Sequence, residues 1–199
     1  APPTGDAPIL DVCTGTGDLA LAYDKAAKGR LRIIGSDFCL PMLLPARAKA
    51  CRRAASLRVQ FIEADTQRLP FPSNEFQLVT VAFGLRNVTD TDKGLDEMVR
   101  VARPGGRIVI LEFSRPKNWF FGSMYRFYFR QILPAIGQLL ARNKDSAYEY
   151  LPASVMAFPD GEVLAEKMRS HGLSDVEWFP FTLGIATVYV GCKSLPACG

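Results

Sequence analysis

The sequence predicts an α/β fold built on a mostly parallel sheet, and three observations carry that expectation. Through the first 113 residues, short apolar runs alternate with longer stretches of helical periodicity, the pattern of βαβ units. The first apolar run, Ile9 to Val12, passes through a glycine turn directly into a helix-like stretch. The last two β-rich runs lie close enough in sequence to form an antiparallel hairpin at the sheet edge.

In chain order, strands are expected at about 8–13, 31–36, 58–63, 76–82 and 106–113. Helices are expected at about 18–28, 41–54 and 91–102, the last closed by the stop signal Pro104-Gly105-Gly106. A further helix at about 160–172 precedes the strands at 174–181 and 184–192. Between the halves lies an insert at about 114–158. The 199 residues read as one domain without internal repeats.

Composition narrows the function classes. With 48% hydrophobic and 22% charged residues the chain is ordinary for a globular protein. No uncharged apolar run reaches the roughly 18 residues of a membrane span. Five cysteines without a CxxC pair, together with a single histidine, argue against a zinc site and for reduced thiols in a cytoplasmic protein. The net charge of +4 is too small to indicate nucleic acid. The charge is nonetheless uneven: from Arg115 to Lys144 there are six basic residues and no acidic one. Seven of the eleven residues from Trp119 to Phe129 are aromatic.

The run Ile9 to Ala20, ILDVCTGTGDLA, holds the candidate ligand turn. Gly15-x-Gly17-x-x-Ala20 satisfies the loose dinucleotide fingerprint, so spacing alone leaves several nucleosides open. Charge separates them. A pyrophosphate wants bare N–H groups at a helix N-terminus, whereas Asp11 and Asp18 bracket this turn. Carboxylates suit a cationic ligand such as S-adenosylmethionine, which carries an ammonium and a sulfonium. Asp37 ends the second strand, placed to accept two ribose hydroxyls, with Phe38 beside it. Asp65 ends the third, next to Thr66, near where an adenine edge would lie. Three strand ends sharing the pattern fit the rule that ligands of open α/β sheets sit outside the carboxyl ends of the strands.

With these residues in place, the chain resembles the class I S-adenosylmethionine-dependent methyltransferases, and more narrowly the menaquinone/ubiquinone biosynthesis C-methyltransferase family. The narrow likeness rests on FGLRNV (Phe83 to Val88), LPFPSNEF (Leu69 to Phe76), RPGGRIVILEFSRP (Arg103 to Pro116) and YEYLPASV (Tyr148 to Val155). It implies a Rossmann-like fold with a seven-stranded sheet, an antiparallel C-terminal strand and helices on both faces. It also implies cofactor contacts at Thr16, Asp37, Asp65, Thr66 and Ala82, which join Asp11, Gly15, Gly17 and Phe38 on the cofactor side. Where the family often has a small hydroxyl residue, this chain has Ala82. Phe158 and Tyr189 stand where members commonly have histidine, and the helical segment that usually precedes the first strand and helps cover the site is expected to be missing.

The activity so implied is C-methylation of a polyprenyl quinol, demethylmenaquinol before the benzoquinol precursor of ubiquinone. Such a reaction needs electron density at a ring carbon, supplied by deprotonating a ring hydroxyl. Arg86 is the candidate cation to stabilise the phenolate, since guanidinium does not act as a base. Its competing role is an ion pair at the mouth of the sheet. Asn87 can donate to the same oxygen. Phe83, Tyr125 and Tyr128 are assigned to the quinol. His171, in MRSHGL at a helix C-terminus, is set aside as an answer to the helix dipole.

Seven rings in eleven residues project around every side of a helix. An insert with aromatics inward and Lys117, Arg126 and Arg130 outward would shelter a lipophilic quinol and dock peripherally on an anionic membrane. A homodimer stays open. Two other classes compete: a non-catalytic S-adenosylmethionine-binding scaffold in a quinone-synthesis assembly, prompted by Phe158 and Tyr189, and an RNA methyltransferase, prompted by the basic insert. The latter lacks an NPPY-like tetrad after the fourth strand.

Overall fold

The computed structural model describes residues 5–115 and 154–195. Seven strands form one sheet: β1 (Ile9–Val12), β2 (Ile33–Asp37), β3 (Val59–Glu63), β4 (Phe76–Ala82), β5 (Ala102–Phe113), β6 (Leu173–Phe181) and β7 (Ala186–Lys193). Among the described residues the helices bounded at both ends are α1 (Asp18–Ala26), α2 (Leu40–Arg52), α3 (Thr91–Val101) and α4 (Glu162–Ser170), with 3-10 turns at Leu85–Asn87 after β4 and at Thr182–Gly184 between β6 and β7. The strand order is β3-β2-β1-β4-β5-β7-β6. Neighbours from β3 to β5 pair in parallel, and β7 runs antiparallel to both β5 and β6.

Alternation along the strands sends side chains to two separate cores, as the two-residue period of a pleated strand requires. Ile9, Ile33, Leu78 and Val109 pack with Leu21 of α1 and with Leu43, Ala46 and Ala50 of α2. Leu10, Val12, Ile34, Val79, Val81, Ile108 and Ile110 pack on the other face with Leu95 and Met98 of α3 and with Leu164 and Met168 of α4. Helices on both faces leave every residue of β1 and β2 buried, which explains why those strands read as continuous apolar runs.

The expected C-terminal hairpin forms at the sheet edge, with β7 lying between β5 and the edge strand β6. One boundary is revised: β5 starts earlier than expected, at Ala102. The helix α3 ends at Val101, before Pro104-Gly105-Gly106, which lies within β5 where the pairing jumps from Phe76↔Ala102 to Leu78↔Arg107. The helix α3 that precedes it is capped by Asp90, whose side chain accepts from the Lys93 N–H.

His171 does more than answer a dipole. It caps α4 while its ring bridges to α3, with Nδ1 2.6 Å from Asp96 and Nε2 2.8 Å from Asp92. Phe158 and Tyr189 are both buried in the α3/α4 core, and the Tyr189 hydroxyl accepts the Gly161 N–H at 2.6 Å. Among the described residues no helix is long and apolar enough to cross a membrane.

Candidate functional site

A cavity of about 530 Å³ opens at the carboxyl ends of β1 to β4. Gly15, Asp37, Phe38, Asp65, Thr66, Phe83 and Asn87 all line it. Parallel strands all end on this edge, so residues from four separate sequence segments converge there.

The strand β1 leaves the sheet through Cys13, whose φ of +50° is a left-handed conformation. The turn is then pinned from two sides: the Thr14 N–H donates to the Ser36 carbonyl and the Gly15 N–H to Asp37 Oδ2, at 2.9 and 2.8 Å. Gly17 starts α1 at φ +78°, and a Cβ there would sit 2.5 Å from the Phe61 ring. No other residue fits. Gly17 is therefore a packing residue beneath the turn rather than a lining one.

The charges around the turn differ from the sequence expectation. Asp11 is 1% exposed and points back into the sheet, where the hydroxyls of Thr14 and Thr80 donate to it. Burial pushes its carboxyl up to about 6, with those hydroxyls opposing. Asp18 faces outward and is neutralised by Lys49, 2.8 Å away, which holds its carboxyl below the usual range. Lys49 also reaches the Thr16 hydroxyl and carbonyl, so Thr16 is engaged on the outer side of the turn and does not line the cavity. The carboxylates on the cavity are Asp37 and Asp65 instead.

Asp37 links two elements, accepting the Gly15 N–H on Oδ2 and the Cys39 N–H on Oδ1 at 2.8 and 2.9 Å. Asp65 accepts from the Gln67 backbone at 2.9 Å and from its side chain. Thr66 is buried beside it, its hydroxyl 3.4 Å from Cys13 Sγ. Burial raises the Cys13 thiol to about 11, so it remains a neutral wall of the cavity. Phe38 and Met42 stand exposed at the mouth, 72% and 42%.

On the far side Phe83 is also left-handed, at φ +57°, and opens the 3-10 turn. Gly84 has to be glycine: a Cβ there would lie 2.3 Å from that of Cys13. Ala82 is still within β4, paired with Leu111, and contributes no lining atom. Arg86 turns away from the cavity. Its side chain is 9% exposed and forms an ion pair with Glu112 at 2.9 Å, with its guanidinium over the Phe113 ring. Of its two expected roles, the geometry matches the ion pair. Tyr125 and Tyr128 lie outside the described residues.

Sequence reasoning missed Cys13, Cys39, Met42, Gln67, Gly84, Val88 and Thr89 as lining residues. All but Met42 stand within two residues of one already singled out, which was the available signal; Met42 comes from α2, four residues past Phe38. Glu112 was also missed. It lies inside the quoted RPGGRIVILEFSRP, but nothing in its spacing marks a strand-end acid reaching a different strand's turn.

Residues 2–193 match the ubiE/COQ5 methyltransferase family. The chain belongs to this family. Among ubiE/COQ5 relatives, the demethylmenaquinone methyltransferase of Thermus thermophilus is 49% identical over 183 residues, 92% of this chain and 81% of that one. The ubiquinone/menaquinone biosynthesis C-methyltransferase UbiE of Geobacter sulfurreducens is 44% identical over 187 residues, 94% and 72% of the two chains. A solved SAM-dependent methyltransferase from Aquifex aeolicus superposes with a TM-score of 0.67 at 16% identity, covering 94% of this ubiE/COQ5 chain and 82% of that one. At that identity the likeness is one of fold.

Proposed function

We propose that this chain transfers a methyl group from S-adenosylmethionine to a ring carbon of a polyprenyl quinol, converting demethylmenaquinol to menaquinol. The observation that carries the reading is the 49% identity, across 92% of the chain, to a relative bearing the demethylmenaquinone methyltransferase name. The cavity agrees with it in size and in chemistry. Its 530 Å³ falls within the range of small-molecule sites, and its polar groups are few and grouped.

The residues present fit the cofactor. Asp37 keeps free acceptor positions on both oxygens beyond its two backbone contacts, suited to a ribose diol. Asp65 and Thr66 are placed for the edge of a heterocycle, and Phe38 and Met42 offer it an apolar face. When bound, S-adenosylmethionine supplies an electrophilic methyl group. The chain's own part is to hold the acceptor against it and to keep water out. Asn87, on the cavity wall, would donate from its side-chain amide to a ring oxygen and favour the phenolate. Phe83 and Val88 give the ring an apolar wall. The departures at Phe158 and Tyr189, which motivated a non-catalytic scaffold, sit in the core and do not touch the cavity.

The membrane role remains a proposal founded on the sequence of the insert, whose residues 116–153 lie outside the described ones. Arg115, at the start of the basic run, is held by Asp160 at 2.6 Å, so the reading rests on Lys117, Arg126 and Arg130, which lie outside the described residues.

The test is transfer of label from methyl-labelled S-adenosylmethionine to demethylmenaquinol kept reduced, run beside the demethylated benzoquinol. Label on a ring carbon of the naphthoquinol is expected. Cofactor binding without transfer to either quinol would overturn the proposal.

A further inference from the structure

We propose that Glu112 is a positioning residue for the acceptor side of the cavity, acting through Arg86 on the turn from Phe83 to Asn87. The inference rests on the quinol methylation proposed above and assigns a role to a side chain that does not itself reach the cavity.

Glu112 stands near the end of β5, 1% exposed, opposite Thr187 of β7. Its carboxylate gathers three donor groups. Oε2 accepts from Arg86 Nη1 at 2.9 Å and from the Phe113 N–H at 3.1 Å. Oε1 accepts from the Arg86 backbone N–H at 3.3 Å and again from Nη1 at 3.2 Å. The same Nη1 donates to the Phe83 carbonyl. One carboxylate thus grips the turn at its backbone and, through the guanidinium, at the carbonyl of its first residue.

That first residue needs holding. Phe83 is bulky and left-handed at φ +57°, a strained conformation that persists only where its surroundings impose it. Its ring packs against Phe113 at a tilt of 40°, centroids 4.6 Å apart, and Arg86 lies over the same Phe113 ring at 5.2 Å. Phe83, Gly84 and Asn87 form the cavity wall, while Arg86 and Glu112 stand behind it. The brace is therefore placed to set where Asn87 and the Phe83 ring meet the quinol, whereas the cofactor side hangs from Asp37 and β2. A carboxylate suits the position because it is acceptor-only, and both its oxygens face donors. Glutamine would turn an N–H₂ group toward one of them.

Burial raises the Glu112 carboxyl and Arg86 opposes the rise, so the ion pair keeps a charge that its surroundings disfavour. Removing one partner strands the other, which makes a paired design of variants necessary.

The experiment compares wild type, Glu112→Gln, Glu112→Asp, Arg86→Met and the double variant Arg86→Met with Glu112→Gln. It measures kcat and KM for the quinol, calorimetric Kd for S-adenosylmethionine, and amide hydrogen exchange over residues 84–88. Glu112→Gln should lower kcat/KM for the quinol about tenfold or more, with the cofactor Kd held within about threefold. Glu112→Asp should recover part of the loss. The double variant should be no worse than the poorer single, because residues acting as one unit are not additive. Should Glu112→Gln fail to fold, the double variant, which leaves no stranded charge, takes its place. Losses that multiply in the double variant, or a cofactor Kd that worsens in step with kcat, would overturn the proposal. If wild type methylates no quinol, the reaction is wrong, but the brace is still read by exchange: unchanged protection at 84–88 in Glu112→Gln would overturn it, and faster exchange there would support it.

Discussion

Replacing Asp37 by alanine should weaken S-adenosylmethionine binding at least tenfold. The carboxylate is 8% exposed and holds the Gly15 and Cys39 N–H groups at 2.8 and 2.9 Å, one on each oxygen. A carboxylate offers about four acceptor positions, so one on each oxygen is left for a vicinal diol. A hydrogen bond to a charged group is worth about 1.5–3 kcal/mol. Because the cavity is open and water would refill the gap, the loss of two is discounted to about the value of one, roughly tenfold to a hundredfold in Kd. The two orphaned amides also loosen the glycine turn, which should lower thermal stability. Isothermal titration at neutral pH measures the affinity, with circular dichroism confirming the fold. Asp37→Asn keeps the shape but loses the charge and one acceptor oxygen, and should fall between. A folded Asp37→Ala protein that binds within about twofold of wild type would remove both the diol assignment and the account of the turn built on it.

Three other outcomes are expected from the same structure and sequence. Asp11, its carboxyl raised from 3.8 to about 6, binds its proton more tightly in the folded than in the unfolded chain, so its contribution is fully present below about 4 and is lost as pH rises toward 6. The effect is on the order of 3 kcal/mol; urea unfolding from pH 4 to 7 should show Asp11→Asn gaining on wild type by that order, and parallel profiles would contradict it. Gly84→Ala places a Cβ 2.3 Å from that of Cys13 and should cost about 1–3 kcal/mol by overpacking, with relief when Cys13→Gly is added; a melting temperature unmoved by the single change would mean the strand ends do not touch. Arg126→Glu with Arg130→Glu should abolish sedimentation with anionic liposomes, at about 1 kcal/mol per charge, and slow turnover of a long-tailed quinol while sparing a short-tailed one. Equal loss on both quinols would contradict membrane docking.

The sequence by itself determined the parts of this protein that local chemistry controls. Apolar runs alternating with helical periods placed the seven strands and helices α1 to α4 of the described residues, because a strand buried on both faces and a helix buried on one carry different periods. Asp37 and Asp65 were legible as cavity-lining residues because both stand at or just past the carboxyl ends of parallel strands, where such sheets open a crevice. Tertiary structure decided the matters that depend on the neighbour across a gap. Asp11 and Asp18 look alike along the chain, yet two threonine hydroxyls draw one inward and Lys49, 31 residues on from Asp18, draws the other outward. Arg86 reads as a cation waiting for a phenolate until β5 brings Glu112 against it from 26 residues away. The order of the last two strands was likewise beyond the sequence, since a hairpin fixes that β6 and β7 pair but not which of them meets β5. Local pattern specifies elements and the ends of strands; the direction of a charged side chain is set by the partner that neutralises it, and only the fold supplies that partner.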